Sequence, residues 1–317
     1  MRELGPGHPL VFNHIPKTAG TSLQLALMQV LQPTRFVTGL DLALVGGYDE
    51  IDSVRPSART SFYFTPEDMP LDATMVSGHI SPGTTMARYP RGEHITLLRS
   101  PQVRMLSQWL HGRSLSEFDL RHWGPAAKAF RIARLPLRQY LEHRMIAPNI
   151  DNTMTRFLAY PHQSLKRTEF IDESLDDELF AAGVQRLDAF SHVDVTENPQ
   201  FGARLGEWLG AELPESRANE RTSVPVRMRP DFDVELEPAT RELLDHRCRI
   251  DVRLWQHVAA KVLPDADPAE VLEGALQKSV HRYTAMLSQP AGPLTKRQVV
   301  ERVYDVVTKL DPRRARR

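Results

Sequence analysis

Two short segments concentrate side chains suited to holding phosphate. The first is His14-Ile15-Pro16-Lys17-Thr18-Ala19-Gly20-Thr21-Ser22-Leu23, directly after the apolar stretch Leu10-Val11-Phe12. Small residues at Ala19 and Gly20 let successive backbone N–H groups approach an anion closely, and Lys17 adds a point charge. The hydroxyls of Thr18, Thr21 and Ser22 supply further donors, and a helix starting near Ser22, with Thr21 or Ser22 as its N-cap, contributes its positive end. The loop that binds nucleoside triphosphates reads differently, because there the lysine follows the glycines, whereas Lys17 comes before the small residues. The second segment is Leu97-Leu98-Arg99-Ser100-Pro101-Gln102-Val103-Arg104-Met105-Leu106-Ser107-Gln108-Trp109. Arg99 ends an apolar run and Ser107 falls about two turns into the helix that follows. Arg104 and Ser107, three apart, share one face of that helix. A planar guanidinium beside a hydroxyl suits a phosphate monoester.

The elements that must position these groups are legible as strands feeding helices. Leu10 to Asn13, Met75 to Gly78, His94 to Leu98 and Phe190 to Val195 are short apolar runs, rich in β-branched residues, that read as buried strands. Ser22 to Leu31 has helical apolar spacing, and a helix follows Pro101. Strands alternating with helices predict an α/β fold with a central, mostly parallel sheet covered on both faces. Pro33 to Pro70 reads as an irregular surface connection, Arg113 to Met145 as mainly helical, and Glu237 to Val262 as one long helix. After Pro264 the composition changes. Asp267-Pro268 should cap a helix to about Leu287, Thr295 a last helix to Leu310, and four arginines close the chain from Arg313 to Arg317. The expected division is a domain at 1–263 and a helical extension with a basic tail at 264–317, the extension packing against the domain or a second copy of the chain.

Composition narrows the class. Among 317 residues, 40 Lys+Arg balance 40 Asp+Glu, and 41% are hydrophobic, which excludes disordered and collagen-like chains and argues against bulk electrostatic binding of nucleic acid. The balance hides an asymmetry: 12 basic and 4 acidic residues between Arg99 and Arg167, then 9 acidic and 1 basic between Glu169 and Asn198. The basic stretch either surrounds an anion site or forms a solvated face. The single cysteine, Cys248, allows neither an internal disulfide nor a cysteine zinc site, and no apolar run approaches the roughly 20 residues of a membrane span. A cytoplasmic protein without a membrane span is the expectation.

Taken together, the Pro16-Lys17-Thr18-Ala19-Gly20-Thr21-Ser22 loop and the Arg99-x-Pro101-x-x-Arg104-x-x-Ser107-x-Trp109 segment resemble the PAPS-dependent sulfotransferases, in particular the branch of carbohydrate and glycosaminoglycan O-sulfotransferases. The resemblance covers about residues 9 to 262. It implies a P-loop-like three-layer sandwich and PAPS as sulfuryl donor. Lys17, Thr18, Ala19, Gly20, Thr21 and Ser22 would bind the 5′-phosphosulfate, and Arg99 and Ser107 the 3′-phosphate. Asn219-Glu220-Arg221-Thr222-Ser223 falls where these enzymes carry a loop closing over the nucleotide, which would bring in Arg221 and Thr222. Ser77-Gly78-His79-Ile80-Ser81 is similar to the family's Gly-His segment, so His79 would be the general base that takes the acceptor hydroxyl's proton, with Lys17 stabilising the leaving oxygen. His14 is a rival base or an acceptor contact. Asp151 to Leu158 and Val195-Thr196-Glu197 also look like family blocks. Asn152 and Arg156, four apart, would face the acceptor or serve as structural hydrogen-bond partners.

The implied reaction moves a sulfuryl group from PAPS to a hydroxyl of a carbohydrate or other small molecule, without a metal. Two further readings use the same elements. An ATP-dependent small-molecule kinase is disfavoured by the position of Lys17, and a non-catalytic nucleotide-binding scaffold by the presence of Lys17 together with His79. Arg113, Arg121, Lys128, Arg131, Arg134 and Arg138 could meet an anionic acceptor or simply be solvated.

Overall fold

The computed structural model describes residues 3–41, 43, 59–121, 123, 127–214, 224–290, 300 and 304. Five parallel strands form the centre: β1 Leu10–Asn13, β2 Phe36–Val37, β3 Met75–Gly78, β4 Glu93–Leu98 and β5 His192–Val195, in the order β2-β3-β1-β4-β5. The irregular connection expected over Pro33 to Pro70 therefore contains an edge strand, too short to show a period of two. Alternate residues of β1 enter different layers. Leu10 and Phe12 pack with Leu23 and Leu27 of α1 (Gly20–Leu31) and with Leu205 and Leu209 of a later helix, while Val11 packs with Val76, Ile80 and Tyr89 on the other face. Burial on both faces is why these strands read as continuous apolar runs.

Chain order gives the sheet a switch point. From β1 the chain moves outward to β2 and β3, then crosses to β4 and β5 on the other side, so β1 and β4 are neighbours whose following segments diverge. Ligands of open parallel sheets bind at such a crevice, outside the carboxyl ends of the strands. The Lys17 loop follows β1 and Arg99 follows β4, so both segments singled out in the sequence flank it.

The helices used below are α2 Pro82–Arg88, α3 Pro101–Ser114, α4 Thr153–Ala159, α5 Asp176–Asp188, α6 Phe201–Leu209, α7 Pro238–Arg247, α8 Arg249–Val262 and α9 Pro268–Ser288. The long helix expected from Glu237 to Val262 is broken at Cys248 into α7 and α8. The break is made from a distance: Asn152 Oδ1 accepts from the amides of Ile250, at 2.8 Å, and Asp251, at 3.3 Å, which are first-turn donors of α8. No apolar spacing within 237–262 could report this cap.

The basic run from Arg113 is spent locally. Arg113 is buried and donates to the carbonyls of Met228, Ala133 and Leu135, Arg131 and Arg134 share Glu117, and Arg138 pairs with Glu142 and Glu237. These arginines brace short helices, and Arg113 is buried away from any anionic acceptor. No helix among the described residues is long and apolar enough to cross a membrane.

Helix α9 starts as its sequence predicts, with Asp267 accepting from the Ala269 amide. It is also integral to the core. Leu272 joins the cluster of Trp255 and Val258, while Leu276, Tyr283 and Leu287 join that of Trp109 and Leu110 on α3. Leu276→Ala should therefore lower the unfolding free energy in urea by about 2–5 kcal/mol, the usual cost of emptying a buried leucine site. Leu25→Gln, at an exposed α1 position, should change it by about 0.5 kcal/mol or less.

Candidate functional site

The loop after β1 is strained in a specific way. Lys17 has φ 70° and Ala19 φ 61°, so two residues with side chains occupy the left-handed region within three positions. Such conformations persist where surrounding contacts impose them. Here Arg99 Nη1 donates to the Lys17 carbonyl at 3.0 Å, and Thr18 Oγ1 donates to the Ile15 carbonyl at 2.9 Å. Ala19, not Thr21 or Ser22, is the N-cap of α1, and it caps without a side-chain bond. The Thr18 hydroxyl proton is spent on the loop itself, which corrects its expected use as a ligand donor. The amides of Thr18, Ala19, Gly20 and Thr21 donate to no acceptor among the described residues. A row of free amides at a helix N-terminus is a positive cradle.

Gly20 is required by a neighbour. A Cβ there would lie 1.9 Å from the His14 ring, so any side chain would displace the imidazole. His14 stacks on Phe12, with centroids 5.4 Å apart, and contacts the His79 ring at 4.5 Å. His79 Nδ1 lies 2.7 Å from the His14 carbonyl, which can only accept, so Nδ1 carries the proton and Nε2 keeps its lone pair. Burial holds both imidazoles below the ordinary histidine range. For His79 the nearby Lys17 charge adds to this and the carbonyl bond opposes it; for His14 the charges of His79 and Lys17 add to it. His79 is thus neutral at pH 7 in the tautomer a general base needs.

Cations gather on the other side of the crevice. Burial, then the charges of Arg99 and Arg104, lower the Lys17 ammonium to about 8. None of the three forms an ion pair with a carboxylate among the described residues. Arg104 is 1% exposed. Its Nη2 donates to the Asn149 carbonyl and to Thr153 Oγ1, while its Nε and Nη1, with the Ser100 hydroxyl, have no hydrogen-bond partner among the described residues. Unsatisfied buried donors of this kind are costly and mark a place where something else completes the bonding. Ser107, half-buried on the same face of α3, has a hydroxyl without a partner among the described residues. Glu197, just past β5, supports the helix start by accepting from the Ser100 amide and from Trp255 Nε1.

Lys17, Ala19, Gly20, Thr21, Ser22, Arg99, Ser107, His79 and His14 are thus carried on the ends of β1, β3 and β4 and the helices they feed. Asn152 and Arg156 belong elsewhere. Asn152 caps α8. Arg156 is 4% exposed and fully engaged, with the Asp151 carboxylate at 2.8 Å and the carbonyls of Asp151, Lys166 and Glu169. Both are structural, which corrects the acceptor role suggested by their spacing. Arg221 and Thr222 lie outside the described residues. Sequence reasoning paired Arg104 with Ser107 but missed His111. Arg104 adds a third cation, and His111, seven residues further along α3, feels the charges of Lys17 and His79 and is pushed by burial to about 4. The signal for His111 was its i+7 spacing from Arg104, which continues the face that Arg104 shares with Ser107.

No protein-family model matches the chain, and no curated protein matches it.

The depressed histidines have a consequence for stability. A histidine held neutral by the fold takes up its proton more readily when unfolded, so stability is complete above the unfolded value of about 6.5 and falls as pH drops towards the folded values. His14, His79, His94 and His111 all shift in this direction. Urea unfolding between pH 7.5 and 5.5 should show declining stability, by at most about 1.4 kcal/mol per pH unit for each histidine. His14→Gln should make the decline shallower.

Proposed function

We propose that the chain is a PAPS-dependent O-sulfotransferase, moving a sulfuryl group to a hydroxyl of a carbohydrate or other small-molecule acceptor, on a P-loop-like three-layer scaffold. The observation that carries this reading is the meeting of three things at one sheet switch point: a loop with Lys17 whose amides have no acceptor among the described residues, two guanidinium groups, Arg99 and Arg104, without an ion pair among those residues, and a neutral histidine with its Nε2 lone pair free of a bond there. Two separate cationic devices suit a ligand with two separate phosphates. The order β2-β3-β1-β4-β5, with the loop after the first strand, supports the scaffold assignment.

In this reading Lys17 and the amides from Thr18 to Thr21 hold the 5′-phosphosulfate, and Arg99 with Ser107 holds the 3′-phosphate. Arg104 adds positive potential behind them. The bound donor supplies a sulfuryl group linked to a phosphate oxygen. Lys17 stabilises the negative charge left on that oxygen, more strongly in a partly buried site than in water. His79 accepts the acceptor hydroxyl's proton at Nε2, and the bond from its Nδ1–H to the His14 carbonyl stabilises the imidazolium that forms. The roles of Arg221 and Thr222 rest on the family resemblance alone.

Adenosine 3′,5′-bisphosphate should raise the thermal midpoint by mass action, with ATP at equal concentration doing much less. Equal stabilisation by both would remove Arg99 and Ser107 from a 3′-phosphate site. In calorimetry Arg99→Ala should weaken bisphosphate binding by about 2 kcal/mol, as expected for a charge-assisted bond. Because Lys17 sits near 8 in the free protein, affinity should fall as pH rises through that value and binding should take up protons there. Labelled PAPS offered with a panel of hydroxyl acceptors tests the reaction itself. His79→Ala should lower turnover roughly 100-fold with bisphosphate affinity kept, whereas Lys17→Ala should damage both. Transfer from ATP and none from PAPS would establish a kinase instead.

A further inference from the structure

Asp41, on the short segment beyond β2, is 2% exposed and accepts four hydrogen bonds. Its Oδ1 takes the Ala43 amide at 3.0 Å, and its Oδ2 takes the Ser81 amide at 2.7 Å, the Ser81 hydroxyl at 2.6 Å and the Thr84 hydroxyl at 2.8 Å. Ser81 is the N-cap of α2 and Thr84 lies in its first turn, so the carboxylate grips the helix that begins three residues after His79. The same segment brackets His79 through the backbone: the His79 amide donates to the Gly39 carbonyl at 3.0 Å, and the Asp41 amide donates to the His79 carbonyl at 3.2 Å. Contact is closest at Gly78, where a Cβ would lie 2.5 Å from the Gly39 carbonyl oxygen. The chain on either side of His79 is therefore referenced to residues 39–41, and Asp41 locks that reference to α2.

All four donors to Asp41 are neutral, and no cation pairs with it among the described residues. A carboxylate buried in this way is costly compared with an apolar residue, and what it supplies is direction, since four convergent donors fix one geometry. Among the described residues the ring's one hydrogen bond is from Nδ1–H to the His14 carbonyl, and keeping that bond requires the His79 backbone to stay at its present distance from β1. Asn13 Nδ2, donating to the Ile80 carbonyl at 2.9 Å and to Thr85 Oγ1 at 2.8 Å, completes the link from β1.

We propose that Asp41 is a positioning residue for His79, holding the imidazole so that Nδ1–H stays on the His14 carbonyl and Nε2 stays available to an acceptor hydroxyl. What His79 does chemically rests on the sulfotransferase reading, but the effect of Asp41 on the ring does not.

The test compares the full-length protein with Asp41→Asn, in which the carboxamide presents an N–H group where the carboxylate had only acceptors. Nitrogen-15 resonances of the His79 ring report its tautomer, and labelled-PAPS turnover with bisphosphate calorimetry reports function. The expected result is loss of the single Nδ1–H tautomer, a kcat lower by about 10- to 100-fold and a bisphosphate affinity within about twofold of normal. If Asp41→Asn does not fold, the double variant Ser81→Ala with Thr84→Val removes two of the four donors and keeps both amides, and a smaller shift in the same direction is expected. A folded variant with an unchanged His79 ring spectrum overturns the proposal. Should the normal protein neither bind the bisphosphate nor transfer sulfuryl, the functional reading falls, while the ring spectra of the variants still decide the role of Asp41.

Discussion

Two helix N-termini that cap one another hold the frame on which the site is built. Asn152, the residue before α4, gives its side-chain oxygen to the first amides of α8, and Asp251, in the first turn of α8, gives its carboxylate to the amides of Met154 and Thr155 in the first turn of α4. Thr155 Oγ1 donates to the same carboxylate at 2.7 Å. All of these groups are buried, so none could turn to water if the partner were lost. Helix ends without partners are expensive inside a protein, and this exchange satisfies both at once. Arg104 lies over the exchange, bonded to Thr153 and drawn to the Asp251 charge. The segment from Arg99 to Trp109 is thereby tied to the helices behind the sheet.

The same exchange explains how so much positive charge is tolerated at the crevice. Arg104 is partly offset by Asp251 from behind, and its Nε and Nη1 have no hydrogen-bond partner among the described residues. Arg99 is held by the Lys17 carbonyl, and Lys17 itself is lowered by burial and by both arginines. The arrangement stores electrostatic repulsion and backbone strain together, the latter of order 1–3 kcal/mol for each left-handed residue. An anion seated on the amides of the loop would offset the repulsion. The neutral histidines belong to the same balance, since a charged imidazole beside Lys17 would add to the repulsion.

The architecture and the strand-to-helix junctions that carry the Lys17 loop and Arg99 were legible in the amino-acid sequence because they are local patterns. Apolar runs marked β1, β3, β4 and β5. Small residues after Lys17 marked the loop, and Arg99-Ser100-Pro101 marked the passage from strand to helix. Asp267 before Pro268 marked the start of α9. Each needs only neighbours within a few positions, since backbone sterics, capping and periodic burial act over one or two turns.

What the tertiary structure alone decided involves partners far apart in the chain. The break at Cys248 depends on Asn152. The saturation of Arg156 depends on Asp151, Lys166 and Glu169. The quiet role of Arg113 depends on carbonyls in two other segments, and the grip on the His79 region depends on Asp41. Asparagine and arginine near a motif have the same composition whether they face a ligand or a buried carbonyl. Only the fold settles which acceptor comes within hydrogen-bond reach, because a buried polar group takes whatever partner the packing brings to it.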